Sequence, residues 1–179
     1  MTTELMQAVR VLDSVMGDPS QGLPEEAFLL LSRMTPLVNV DLVIQDQTKK
    51  ILLTWRDDQF DGPGWHVPGG IIRFKETAAH RIKEVARIEL VAEIAFEPTP
   101  IAVHEFVHPS RKSRGHFISL LYRCTLLTAP DPGRQCVSGK PVAGQWQWHA
   151  ACPQDIIEAQ RHYAEFFKLN PPNRSGLSA

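Results

Sequence analysis

The chain has 179 residues, 43% of them hydrophobic and 22% charged, with a net charge of −1. That length and balance suit one globular domain with a short extension, and they exclude a global basic footprint for nucleic acid. No apolar run approaches the roughly 18 residues of a membrane span, and Met1-Thr2-Thr3-Glu4 lacks the basic-then-apolar order of a signal peptide. Cys124, Cys136 and Cys152 show no Cys-x-x-Cys spacing. They read as reduced thiols of a cytoplasmic protein, not as a zinc site.

Residues 4–16 carry Leu5, Val9, Leu12, Val15 and Met16 at helical spacing. Gly17-Asp18-Pro19-Ser20 ends that helix. Pro24 opens a second helix with Ala27, Leu30, Leu31 and Met34 as its expected buried side. Residues 37–44 read as a strand, 46–49 as a hairpin turn and 51–56 as the returning strand. Residues 57–64 are a polar loop, and 77–91 form a helix. Strand-like segments near 99–108 and 116–128 flank a basic loop, and a Pro/Gly-rich loop covers 129–144. Gln145-Trp146-Gln147-Trp148 alternates as a short strand. Pro153 starts a last helix with Ile156, Ile157, Ala159, Tyr163 and Phe166 as its apolar side. The tail from Asn170 reads as frayed. Strands and helices that do not alternate regularly argue for an α+β fold.

One carboxylate on helix 77–91 stands out. With Val85 at zero on a helical wheel, Ala78, Ile82, Ala86 and Leu90 fall within an apolar arc of about 140°. Thr77, His80, Arg81, Lys83, Glu84 and Arg87 fall outside it, yet Glu89 lands about 40° from Val85. A carboxylate facing a core needs a partner or a metal. Glu89 therefore either leans out to solvent at the helix end, meets an Arg from a neighbouring strand, or serves as a ligand. Gly69-Gly70 just upstream permits close backbone approach. A carbonyl freed there can join a carboxylate around Mg²⁺.

The segment from Gly70 resembles the Nudix box, G-x5-E-x7-R-E-U-x-E-E-x-G-U with U aliphatic. Glu76 falls on the first Glu. The Arg-Glu step holds Glu84-Val85, the Glu-Glu pair holds Ile88-Glu89, and the late Gly holds Val91. Lys83, seven residues beyond Glu76, is a candidate replacement for the usual salt-bridge partner. A branch that also lacks most box carboxylates, the GDP-mannose mannosyl hydrolases, resembles more of the chain. Residues 34–41 are similar to its first strand, and Trp65-His66-Val67-Pro68-Gly69-Gly70 to its Trp-Phe-Val-Pro-Gly-Gly. The resemblance spans roughly residues 25–168. Ile71 replaces an Arg of that branch, Val142-Ala143 a Gln-His pair, and Phe117 a nucleotide-contacting Tyr.

The resemblance implies an α/β/α sandwich with a mixed sheet over residues 25–168, preceded by a helical extension, 1–24, and followed by a flexible tail, 169–179. It implies hydrolysis of a nucleoside diphosphate linked to another group, such as GDP-mannose, by a homodimer using Mg²⁺, with Mn²⁺ as a second option. Gly69 and Glu89 would hold the metal, Arg56 the diphosphate, and Asp41 would lie near the nucleotide. His116 and Phe117 fall where the branch contacts the nucleotide. Arg111, Lys112 and Arg114 put three cations in one loop, suited either to phosphate or to solvent. His104, His108, His116 and His149 are candidate bases, and Gln145 or Gln147 a candidate amide ligand. Trp65 suits a base stack or the core, and Asp41 could equally pair with Arg56. The reduced box also fits a different class, a catalytically inactive Nudix-fold module that binds a nucleotide or a partner.

Overall fold

A computed structural model describes residues 2–168; the expected tail lies outside the described residues. The elements are α1 (Thr3–Met16), α2 (Glu25–Leu31), β1 (Leu37–Ile44), β2 (Ile51–Arg56), β3 (Gly64–His66), β4 (Gly69–Ile71), α3 (Ala78–Val85), β5 (Ile94–Phe96), β6 (Ala102–Val107), β7 (His116–Leu126) and β8 (Trp146–His149). A 3-10 helix, Glu158–Lys168, closes the described chain.

The expected hairpin of β1 and β2 splits between two sheets. Asp46 builds the turn by accepting the N–H groups of Thr48 (2.8 Å) and Lys50 (2.9 Å). Beyond a bridge from Gln45 to Ile51, however, the strands part. β1 lies between β4 and β7 in a mixed five-stranded sheet, parallel to β7 and antiparallel to β4. β5 and β6 share the other edge of β7. β2 is the centre of an antiparallel sheet, β3-β2-β8. The turn sequence fixes a reversal, but strand pairing is decided by which face each strand buries.

β1 from Val40 on and β2 as far as Trp55 are buried on both faces. Val40, Leu42, Ile44 and Leu52 pack with Ile82, Val85, Ala86 and Leu90 beneath α3. Val43, Ile51, Leu53 and Trp55 pack with Trp65, Tyr163 and Phe166 of the C-terminal side. Helices thus cover both sides of the strands, which is the expected sandwich.

Three details correct the sequence reading. Of the expected buried side of the second helix, Leu31 and Met34 are exposed (42% and 71%), and Met34 lies beyond the end of α2. The final helix begins at Glu158 rather than at Pro153 and is wound as 3-10. The helix expected over 77–91 is α-helical only to Val85 and continues as a wider π-turn, Ala86–Leu90. The N–H of Val91 closes that turn on the Ala86 carbonyl, and Val91 itself is left-handed, with φ 53°. This is the position where the Nudix pattern has glycine, and a β-branched residue there is strained. The short strands β3, β4 and β5 were not anticipated. In α1 no residue is buried, and Leu5, Val9 and Val15 stand exposed.

Candidate active site

The Gly69-Gly70 pair serves close approach rather than positive φ. A Cβ on Gly70 would stand 2.8 Å from Val85 Cγ2, and one on Gly69 would stand 2.3 Å from Asp41 Oδ1. The first contact seats α3 against β4, and the second brings β4 against β1. The bonds Leu42 N–H to Pro68 O and Ile72 N–H to Val38 O set the ladder. Gly69 pairs with Asp41, one step out of phase with those bonds. Its N–H and C=O therefore turn away from β1, toward the open edge.

Glu89 meets that edge. Its Oε1 accepts the Gly69 N–H at 3.2 Å, and its Oε2 accepts the Thr54 hydroxyl at 2.9 Å. Burial pushes its carboxyl up to about 7, against the pull of Thr54, Gly69 and the Arg56 charge. The inward placement expected from the wheel holds, but its partners are a β2 hydroxyl and a backbone amide rather than an Arg.

Glu76, the other box carboxylate, is closed. Arg81 grips its Oε2 through Nε (2.8 Å) and Nη2 (2.7 Å), the Arg73 N–H donates to the same oxygen, and His80 meets Oε1 at 2.8 Å. Arg81, assigned to the polar face by the wheel, is in fact buried, whereas Lys83 is exposed. The replacement for the usual salt bridge is therefore Arg81, not Lys83. An Arg placed beside the Gly70 gap reaches Glu76 with a planar fork, which an ammonium cannot match.

Two cavities flank the β4 edge, and Arg56, His66 and Gly69 line both. The first also takes Asp41, Arg111, Arg114, Phe117 and Tyr163, and the second takes Thr54, Asp58, Glu89 and Ala143. Asp41 is buried, accepting from Tyr163 Oη (2.5 Å) and Asn39 Nδ2 (2.8 Å), and burial pushes its carboxyl up to about 6. It forms no ion pair with Arg56. Instead Arg56 Nε binds Asp58 at 2.7 Å, and Asp61 bridges Arg56 (3.9 Å) and Arg111 (2.9 Å). Arg111 also donates to the Phe60 carbonyl. The Arg114 guanidinium lies over the Phe60 ring at 4.5 Å and near that of Phe28, in α2, at 5.8 Å.

The structure thus brings Asp41, Arg56, Gly69, Arg111, Arg114 and Phe117 around one cavity and Glu89 behind the shared wall. Lys112 is exposed and lines neither cavity. His116 also stands outside, at 2.9 Å from Glu105. His104 stacks near His162 (4.5 Å), His149 near Trp65 (4.7 Å), and His108 meets Ser110 (3.2 Å); none of the three lines either of these two cavities. Trp65 is core, edge-on to Trp55. Gln145 holds its own loop through the Val142 N–H, and neither Gln145 nor Gln147 lines either cavity.

The cleft histidines are ones the sequence reading did not single out, His66 and His162. His66 could have been found from the period-2 alternation that buries Trp65 and turns its neighbour to the other face. Burial, reinforced by the Arg56 charge, lowers His66 to about 4, so the imidazole is neutral. His162 carried no comparable sequence signal, because its place depends on how the last helix docks.

Among the described residues no group of three or more His, Cys, Asp or Glu forms a protein-only metal cage. Mg²⁺ is nonetheless commonly held by one or two carboxylates plus substrate phosphates. Glu89 has lone pairs beyond its two hydrogen bonds, the Gly69 carbonyl faces the same edge, and burial leaves the carboxylate short of compensating positive charge. That donor set fits a divalent cation shared with a diphosphate.

Comparison with known proteins agrees with this architecture. The chain is 27% identical over 112 residues to the low-salt glycan biosynthesis protein Agl8 of Haloferax volcanii, covering 60% of this chain and 70% of that protein. A UDP-X diphosphatase structure aligns over 92% of this chain and 89% of its own, with TM-score 0.54 and 18% identity. A MutT protein from Methanosarcina mazei Go1 aligns over 75% and 94%, with TM-score 0.56 and 13% identity. These structural likenesses establish the fold. The NUDIX domain profile matches residues 35–165, nearly all of the sheet and site just described, and the chain belongs to the NUDIX domain family.

Proposed function

We propose that this protein, a Nudix-type hydrolase of nucleoside diphosphate derivatives, acts on a nucleotide sugar. The observation that carries the reading is an anion seat of Arg56, Arg111 and Arg114 beside the box carboxylate that opens on a cavity, Glu89. Arg56 and Arg111 already bind the carboxylates of Asp58 and Asp61, and diphosphate oxygens suit the same guanidinium forks. Asp41, Asn39 and Phe117 offer polar and aromatic contacts for the nucleoside end. Glu89 and the Gly69 carbonyl hold the divalent cation. Bound there, Mg²⁺ or Mn²⁺ supplies charge neutralisation to the departing diphosphate. The printed role of Agl8 in glycan biosynthesis favours a sugar as the second group. We further propose residues 25–168 as the functional unit and a homodimer as its state, which a sizing measurement checks.

The test is a panel of nucleotide sugars, GDP-mannose among them, assayed with Mg²⁺ for free sugar and sugar phosphate. Either product supports hydrolysis, and which one appears tells attack at carbon from attack at phosphorus. Metal-independent nucleotide binding by calorimetry with no turnover across the panel would overturn the enzymatic reading in favour of a binding module.

A further inference from the structure

His66 stands where the resembling branch has phenylalanine, and it faces the cleft. It sits at the end of β3, paired with Thr54 of β2. Its Nδ1–H donates to the Thr54 carbonyl at 2.8 Å, which fixes the tautomer and leaves the lone pair on Nε2. A backbone carbonyl on the far nitrogen is how proteins orient imidazoles that bind metals. Only 12% of the side chain is exposed, and it lines both cavities. Nε2 lies 3.8 Å from Glu89 Oε2. That is too long for a hydrogen bond. Two ligand atoms each about 2.1 Å from one cation stand roughly 3.0–3.8 Å apart at bond angles of about 90–130°. The Thr54 hydroxyl donates its proton to the same Glu89 oxygen and lies 3.3 Å from Nε2, so the Nε2 lone pair stays unclaimed.

We propose that His66 Nε2 is a metal ligand beside Glu89, making this a mixed nitrogen and oxygen site that prefers Mn²⁺ and similar transition ions to Mg²⁺. Imidazole suits first-row transition ions, whereas Mg²⁺ is selected by all-oxygen sets. The inference rests on the reading that Glu89 holds a divalent cation, and the experiment separates the two.

The full chain is loaded with Mn²⁺ alone, and pulsed electron paramagnetic resonance reads nitrogen coupled to the bound ion. Competition titration with Mg²⁺ gives the preference. Wild type is expected to show directly bound ¹⁴N. His66→Phe and His66→Gln should both lose that signal while still binding Mn²⁺, and the Mn²⁺-over-Mg²⁺ preference should fall by about tenfold or more. Using both variants guards against a folding defect in one. A ¹⁴N signal that survives in both, its absence from Mn²⁺-loaded wild type, or an unchanged preference overturns the role of His66. Glu89→Gln tests the underlying reading. If it binds Mn²⁺ as tightly as wild type, Glu89 is not a ligand. If it loses Mn²⁺ while wild type lacks ¹⁴N coupling, the Glu89 site stands and His66 is excluded from it.

Discussion

Helix α3 and the segments flanking it carry two inward carboxylates with opposite fates. Glu76, at the N-terminal side, is saturated by Arg81, His80 and the Arg73 amide. Glu89, in the π-turn at the other end, accepts one amide and one hydroxyl and opens on a cavity. Burial disfavours charge on both, but at Glu76 the surrounding donors win and its carboxyl lies below the ordinary range. At Glu89 burial wins and the carboxyl rises to about 7. The same residue type at the two ends of this segment is thus a rivet where a guanidinium reaches it and stays open to a cavity where none does.

The largest effect that sharpens this comparison is Arg81→Ala. It strands Glu76 in a buried site and should cost about 3–5 kcal/mol of stability by denaturant unfolding. A loss under about 1 kcal/mol would mean the pair is not structural. Next, Glu89→Gln keeps shape and fold but should cost about 10–100-fold in turnover, as loss of a metal ligand does; unchanged turnover would remove Glu89 from the site. Third, Val91→Gly should stabilise by roughly 0.5–1 kcal/mol, because a left-handed L-residue costs about 1–2 kcal/mol and glycine recovers most of it. A lower melting temperature would show that the Val91 side chain outweighs its backbone strain.

The two ends should also titrate in opposite directions. The native state binds fewer protons at Glu76 than the unfolded chain does, so that contribution is lost as pH falls below the ordinary carboxylate range. At Glu89 the metal-free native state keeps its proton longer, so stability declines as pH rises from about 4.5 toward 7. Unfolding curves against pH, with chelator present, should show a shallower first slope in Arg81→Ala, where the Arg73 amide and His80 still hold Glu76, and no second slope in Glu89→Gln. The smallest effect is expected for exposed Lys83→Ala, within about 0.5 kcal/mol of wild type. A larger loss would return to Lys83 the partnership now held by Arg81.

Local pattern made much of this legible. The spacing from Gly70 to Glu89, the strands β1 and β2 and the inward angle of Glu89 all follow from sequence, because periodicity and glycine placement are local properties. What failed depends on contacts in space that helical or strand spacing does not encode. The wheel put Arg81 on the polar face because it cannot see the space left by Gly70 and Glu76 beneath that residue. The hairpin reading of β1 and β2 missed that their partners are β7 and β8, far along the chain. The candidate histidines 104, 108, 116 and 149 were chosen by type and neighbourhood, whereas His66 and His162 face the cleft. One is turned there by the pairing of β3 with β2, the other by docking of the final helix.

Residue types and their spacing alone carry the family, the layered fold and a box helix whose inward carboxylate is Glu89. Those depend on residue order and short-range sterics. Which side chains surround that carboxylate depends instead on the folded packing. Thr54 lies 35 residues before it on the same strand as Arg56, His66 comes from β3, and Arg111 joins from a distant loop only at the neighbouring cavity. Their convergence depends on sheet pairing and loop packing, which burial of the two cores selects and no local spacing encodes.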